Sequence, residues 1–265
     1  MLALIAYSLT LIAVGIFGFQ GFKLFKIISA GQSDPTRFDN KGKRLKNMFV
    51  EVFSHTKMLN FTATGIAHWF VMVGFFALLG TLVTAYGQLI NPSWALPIIG
   101  HFVGYELFAE VIAALTGIGI VTLIAIRQVT RVVKSGRSSR FYGSGTLKAY
   151  YVEVTILAIV FCVVALRGLE GALLNKSGWN WHYAISYPAV LFFSKYSATQ
   201  IESLIQVIAF TKIVVSMVWF IVVGLNLNMG IAWHRFLAFF NIYFKKYPGK
   251  ENALGPLPAM ISHGK

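Results

Sequence analysis

A chain of 265 residues that is 57% hydrophobic and only 12% charged is not an ordinary soluble domain, where about a quarter of residues carry charge. Its formal net charge of +14 raises nucleic acid as a partner, but the placement of the charges, given below, argues against it. The single cysteine, Cys162, sits in an apolar run, which leaves no disulfide, no CxxCH haem attachment and no iron–sulfur ligand set in these residues.

Taken in order, the chain reads as five membrane-spanning helices. The first runs from Leu2 to about Phe22. No basic residue precedes it and its apolar stretch is long, as expected of an uncleaved anchor rather than a signal peptide. A polar stretch, 31–46, follows and leads into an amphipathic helix from about Leu45 to Phe53. The second span runs from about Phe61 to Tyr86. A short uncharged loop, 88–100, holds Asn91-Pro92 and Pro97. The third span, about Phe102 to Ile126, contains Glu106, Glu110, Gly117 and Gly119. The glycines are expected to serve close helix packing. The fourth span runs from about Tyr151 to Leu166. A longer loop, 167–200, is rich in Trp and Tyr and suits a membrane-surface belt. The fifth span runs from about Ile201 to Trp233. It exceeds the ~20 residues a bilayer needs, so its end is expected to project into the cytoplasm. The remainder, 236–265, reads as a basic linker, and no internal repeat is visible.

Segments 23–57, 127–148 and 235–265 hold 19 of the 23 lysines and arginines. All three fall on one side of a five-span chain. The positive-inside rule then places the N-terminus outside and the C-terminus in the cytoplasm. The charge is thus a topology signal, and a surface for anionic lipid or an acidic partner rather than nucleic acid.

Ionisable residues inside spans are functional candidates by default, and neutral imidazole is the common axial ligand of b-type haem. His55 and His68 flank the start of the second span. They lie 13 positions apart, which on a straight helix means ~20 Å of rise and ~220° of rotation. On one helix they would not share an iron, so each is expected to serve a different haem. His234 closes the fifth span and is a partner for His55 by depth. Arg235, Lys57 and Arg127 are candidates to pair with a haem propionate. On the opposite side lie His101, Glu106, Glu110 and Lys212. His101 is a candidate haem ligand or quinone-site proton carrier, and Lys212 the expected partner of a buried glutamate. His182 and His263 receive no role, and Cys162 is a packing residue.

Three stretches resemble a known group: Gly65-Ile66-Ala67-His68-Trp69-Phe70-Val71-Met72-Val73-Gly74-Phe75, Asn226-Leu227-Asn228-Met229-Gly230-Ile231-Ala232-Trp233-His234-Arg235-Phe236, and Asn241-Ile242-Tyr243-Phe244-Lys245. The group is the N-terminal membrane domain of actinobacterial-type membrane iron–sulfur oxidoreductases. That domain is similar to the gamma subunit of respiratory nitrate reductase and the cytochrome b subunit of heterodisulfide reductase. The resemblance implies an all-α, five-helix haem-b bundle (residues 1–235) with paired histidines on the second and fifth helices, to which His55, His68 and His234 correspond. It also implies one or two b haems, menaquinone as substrate, and electron-transfer flavoprotein or an iron–sulfur protein as cytoplasmic partner. The setting would be the bacterial cytoplasmic membrane. Any cluster would lie on a partner or on a further segment of a longer protein. One departure stands out: the nitrate reductase subunit carries two histidines on its last helix, and here one is present, with Lys212 near the other position. A proton-coupled transporter using Glu106, Glu110 and Lys212, and a structural anchor for a soluble redox enzyme, are the alternative readings.

Overall fold

Backbone groups in a bilayer must find partners within their own segment, so long apolar runs fold as helices. The computed structural model describes residues 1–31, 34–130, 145–174 and 178–246. Among the described residues every regular element is helical, and five helical stretches are long and apolar enough to cross a membrane. These are α1 (Leu2–Ser29), the interrupted pair α3 (Thr62–Ala77) and α4 (Leu79–Gln88), α5 (Val103–Val129), α6 (Thr146–Leu173) and α8 (Ala198–Leu225). Three shorter helices complete the set: α2 (Lys41–Phe53), α7 (Tyr187–Phe193) and α9 (Gly230–Tyr243). The five-span, multi-pass architecture expected from the sequence is therefore present.

The core is stacked in three layers along the bundle. One layer joins Ala6, Ala13, Leu166, Leu169, Ile205 and Ala209. A middle layer joins Leu78, Ile112, Ala113 and Val163. The third joins Val152, Trp219, Val223, Met229 and Trp233. Ala6 and Ala13 are fully buried against α8, while Leu4, Leu11 and Phe25 on the other faces of α1 are exposed. That distribution suits a helix with lipid on most sides. α3 and α5 approach closely at Gly119, where a Cβ would lie 2.7 Å from the Ala67 carbonyl oxygen. The expected packing role of Gly119 holds; a Cβ at Gly117 would make only an ordinary 3.4 Å contact with Val160.

Several boundaries differ from the sequence reading. The second span kinks at Leu78, between α3 and α4. The Leu78 amide still bonds to the Gly74 carbonyl at 2.9 Å, and the Leu82 amide reaches the Leu78 carbonyl at 3.3 Å. The hydrogen-bond ladder continues, so this is a bend rather than an unwound segment. The fourth span runs on to Leu173, so Arg167 is in a helix and not in the following loop. Its charge is matched there by three carboxylates, described below. The 167–200 stretch also contains α7, which begins with Pro188 in its first turn. α8 starts on a reciprocal Ser197–Gln200 capping box, a strong stop against continuation upstream.

The fifth span does not project as one long helix. It ends at Leu225, and α9 begins anew at Gly230. Asn226 turns its side-chain amide back onto the Val222 carbonyl at 2.8 Å, a local bond of the kind that competes with helix continuation. His234 and Arg235 therefore lie on α9, not on the fifth span, and the stretch after 235 is helical to Tyr243 rather than a linker. Residues 247–265 of the expected linker, with His263, and 131–144 of the basic loop lie outside the described residues.

α2 is tied to the end of α9 by Arg44 and by the Glu51–Lys245 ion pair. Arg44 donates to the carbonyls of Tyr243 at 3.1 Å, Lys245 at 2.6 Å and Thr36 at 2.8 Å, and to Asp39 Oδ1 at 2.7 Å. Its side chain has 0% exposure, although the sequence reading placed it in a solvent loop. Charged hydrogen bonds contribute about 1.5–3 kcal/mol each where buried. Arg44→Ala is expected to cost roughly 3 kcal/mol at this contact and to expose the α9 end to limited proteolysis. A digestion pattern identical to that of the parent protein would rule this clasp out.

Candidate functional site

The first cluster gathers three histidines. The chain leaves α2 and reverses at His55, whose φ of 46° lies in the left-handed region. Histidine is among the residues that tolerate this conformation. A short 3₁₀ turn, Met58–Asn60, then lies flat against the start of α3. Gly65 makes this possible, since a Cβ there would meet the Met58 carbonyl oxygen at 2.4 Å. Trp69 Nε1 donates to the Phe53 carbonyl at 2.7 Å and holds the fold-back closed. As a result His55 Nε2 lies 2.8 Å from His68 Nδ1. The straight-helix separation of ~20 Å does not apply, because the two residues are not on one helix. The His68 and His234 ring centroids are 5.8 Å apart, so the three rings form a row with His68 in the centre.

Hydrogen-bond direction along this row follows from the partners. His55 Nδ1 is 2.7 Å from the Val52 carbonyl oxygen, which only accepts, so Nδ1 carries the proton. In the neutral ring Nε2 is then an acceptor, and it takes the Nδ1 proton of His68. His68 Nε2 is left bare. The His234 ring lies near the backbone of Ile231 and Gly230, and when neutral it keeps one acceptor nitrogen. His68 is thus in the form that ligates a metal, oriented by His55 on its other nitrogen.

Burial and the neighbouring Arg235 hold the His234 pKa down at about 4. The folded value is below the unfolded value, so this group contributes stability at neutral pH that is lost as pH falls from about 6.5 through 4. Docking of α9, followed by tryptophan fluorescence from Trp233, is expected to weaken across that window. His234→Gln is expected to flatten the response, and an unchanged acid profile would remove His234 as its source.

Arg235 lies under the row. Its guanidinium is 5.3 Å from the ring centroids of both Phe75 and Trp219. Its Nη1 is buried without a hydrogen-bond partner, an expensive state for a charged group. It borders a chamber of about 80 Å³ lined mainly by Val71, Phe75, Leu78, Ile159 and Phe220, with Lys212 also in its wall. Lys57, another expected propionate partner, pairs with Glu51 at 3.4 Å. Arg127 bonds to Glu153 Oε1 at 2.7 Å. Of the three, Arg235 is the one with an unused donor beside the histidines. Among the described residues, no group of three or more His, Cys, Asp or Glu is arranged to hold a bare metal ion. A haem iron needs two protein nitrogens, and His68 with His234 supplies that number; the donor chemistry fits.

The second cluster lies at the other end of the bundle. Arg167 pairs with Glu106 at 3.2 Å, Glu110 at 3.4 Å and Glu170 at 2.5 Å. Glu106 passes its second oxygen to His182 Nδ1. Glu110 accepts from the Ile185 amide at 2.8 Å and from the Ser186 hydroxyl. Glu170 accepts from Gln88 Nε2 at 2.6 Å. The sequence reading missed Arg167, Glu170 and His182 here. The apolar pattern continuing through Leu166, Leu169 and Leu173 was the available signal that Arg167 is helical and inside.

Lys212 does not pair with either glutamate. Its Nζ bonds to the Thr81 carbonyl at 2.8 Å and the Thr81 hydroxyl at 2.7 Å. The shorter reach of Arg167 to the carboxylates explains the difference, since Lys212 lies at the centre of α8 rather than near its start. Lys212 also borders a cavity of about 70 Å³ whose lining includes His101, Tyr105, Glu106, Arg167 and Gln88. Of the expected far-end group, His101, Glu106 and Lys212 therefore meet at one cavity, and Glu110 stands behind Arg167. Two buried atoms on residues lining this cavity have no hydrogen-bond partner, Gln88 Oε1 and Tyr105 Oη, while Arg167 Nε faces Glu110 Oε1 at 3.4 Å. Such a concentration of unused polar atoms marks a place for water or a polar ligand. Comparison with family models, curated proteins and solved structures finds no match to this chain.

Proposed function

We propose that this chain is a membrane electron-transfer domain with one b-type haem ligated by His68 and His234. In this reading its N-terminus is outside and its C-terminus in the bacterial cytoplasm. The observation that carries the reading is the row of imidazoles. It leaves two acceptor nitrogens on neighbouring rings, beside a buried guanidinium with a free donor. Haem b, when bound, supplies one-electron transfer without an open coordination position for oxygen.

The chain's own residues have separable tasks. His55 fixes the tautomer of His68 through the Val52 carbonyl. Arg235 offers its unused Nη1 to an anionic group such as a propionate. The apolar chamber beside it excludes water. At about 80 Å³ that chamber is smaller than a porphyrin, so it must widen to seat one.

The basic charge carried by the sequence segments 23–57, 127–148 and 235–265 suits an acidic cytoplasmic donor, an iron–sulfur protein or electron-transfer flavoprotein, and anionic lipid. The Glu106-end cavity is the menaquinone candidate. Tyr105 Oη is a donor for a quinone oxygen, and Gln88 Oε1 an acceptor for a quinol hydroxyl. An engineered cavity of ~150 Å³ seats benzene, and this one, at about 70 Å³, must widen for a quinone ring. Purified protein mixed anaerobically with menadiol is expected to develop reduced b-type bands. Bands reducible by dithionite but indifferent to menadiol would defeat the quinone part of the proposal.

A further inference from the structure

We infer that Glu106 and His182 form a proton port between the Glu106-end cavity and the water at that end of the bundle. Glu106 is 3% exposed and borders the cavity. Its Oε1 is held by Arg167 at 3.2 Å, and its Oε2 bonds to His182 Nδ1. The His182 side chain is 40% exposed. One carboxyl thus touches the cavity on the inside and a water-accessible imidazole on the outside.

The surroundings are built to hold this pair in place. Asn180 Oδ1 accepts from the His182 amide at 3.0 Å, and the His182 carbonyl accepts from Arg167 Nη2. The backbone on both sides of the ring is therefore held in place. The charged and titratable groups facing the pair are Arg167 and Glu170 from α6, Glu110 and Tyr105 from α5, and Tyr183 beside His182. His101 and Lys212 stand across the cavity. One guanidinium stands among three carboxylates here, and the Glu106 oxygen and His182 ring nitrogen can share one proton along their hydrogen bond.

The transfer is a proton relay with no electron moved. The Glu106 Oε2–H bond breaks as a His182 Nδ1–H bond forms, and the Nε2 proton of the ring passes to water; the reverse sequence loads the cavity. The port stands on this geometry alone and serves whatever ligand occupies the cavity. If that ligand is a quinone, its protons exchange with the Glu106 side of the membrane.

Infrared spectroscopy of the purified full chain, moved from H₂O to D₂O between about pH 5 and 8, tests the port. A carboxylic-acid carbonyl band is expected to shift on exchange. In His182→Gln, which keeps a donor to Glu106 but cannot relay, the exchange is expected to slow at least roughly tenfold and to recover with added imidazole. Glu106→Gln is expected to remove the band; if that variant does not fold, the His182→Gln and imidazole pair still decides the question. An unchanged exchange rate in His182→Gln, or no such band in the parent protein, overturns the port. Normal exchange behaviour combined with no menadiol response would sink the quinone reading and leave the port standing.

Discussion

Protein purified from His68→Ala or His234→Ala is expected to lose its b-type absorption entirely, while His55→Ala keeps a weakened pigment. The distinction follows from where each ring points its bare nitrogen. His68 and His234 are the two rings left with acceptor nitrogens, and their centroids are 5.8 Å apart. His55 spends its own acceptor on His68, at 2.8 Å. Removing a ligand removes one of two bonds to iron. Removing an orienting residue costs about 10–100-fold in metal affinity. His55→Ala should therefore lose haem faster on dilution or heating, with an altered spectrum. His101→Ala is expected to leave the absorption unchanged, since His101 borders the cavity at the opposite end. All four variants should keep the helical circular dichroism of the parent, because none of these side chains is part of the three core layers. Equal pigment loss in His55→Ala and His68→Ala would show that the row has been apportioned wrongly.

Arg167→Ala is expected to be the most destabilising single change in the bundle. The guanidinium is the shared partner of Glu106, Glu110 and Glu170, and it also lies 4.5 Å from the Tyr183 ring centroid. Breaking a buried ion pair by removing one partner costs about 3–5 kcal/mol. Here three carboxylates lose their counter-charge together, so the loss should lie at or above the top of that range unless protons are taken up. Arg167→Lys should recover only part, because a point charge cannot bridge three acceptors as a planar fork does. Adding Glu110→Gln to Arg167→Ala should restore some stability, since one surplus charge is removed; the two sites are in contact, so their effects will not add. Thermal unfolding in detergent measures this. An Arg167→Ala protein as stable as the parent would contradict this role for the ion-pair cluster.

Much of the fold was legible because lipid leaves few options: apolar runs of sufficient length became the spanning helices. What escaped was how the ends fold back. His55 and His68 looked far apart because apolar content alone cannot reveal the reversal at His55, which rests on a positive φ and on Gly65 admitting the Met58 carbonyl. The separation of α8 from α9 was hinted at by Asn226 and Asn228 but masked by the apolar residues around them. Arg167 was assigned to a loop because charge was taken as the end of a span. Its neighbours in space, Glu106 and Glu110, lie about sixty positions away in the chain, and pairing over such distances is set by helix packing. His182 had no periodic signal at all, sitting in a three-residue turn. Lys212 bonds to Thr81 rather than to the expected glutamate, since depth along a helix does not say which face meets which neighbour.

The imidazole row is the centre of the account, and haem content per polypeptide examines it most directly. Protein produced with ample porphyrin supply is expected to carry one b haem per chain, extractable because no cysteine anchors it. A preparation that is folded and colourless, or one holding two haems per chain, would contradict the assignment of His68 and His234 as a single ligand pair.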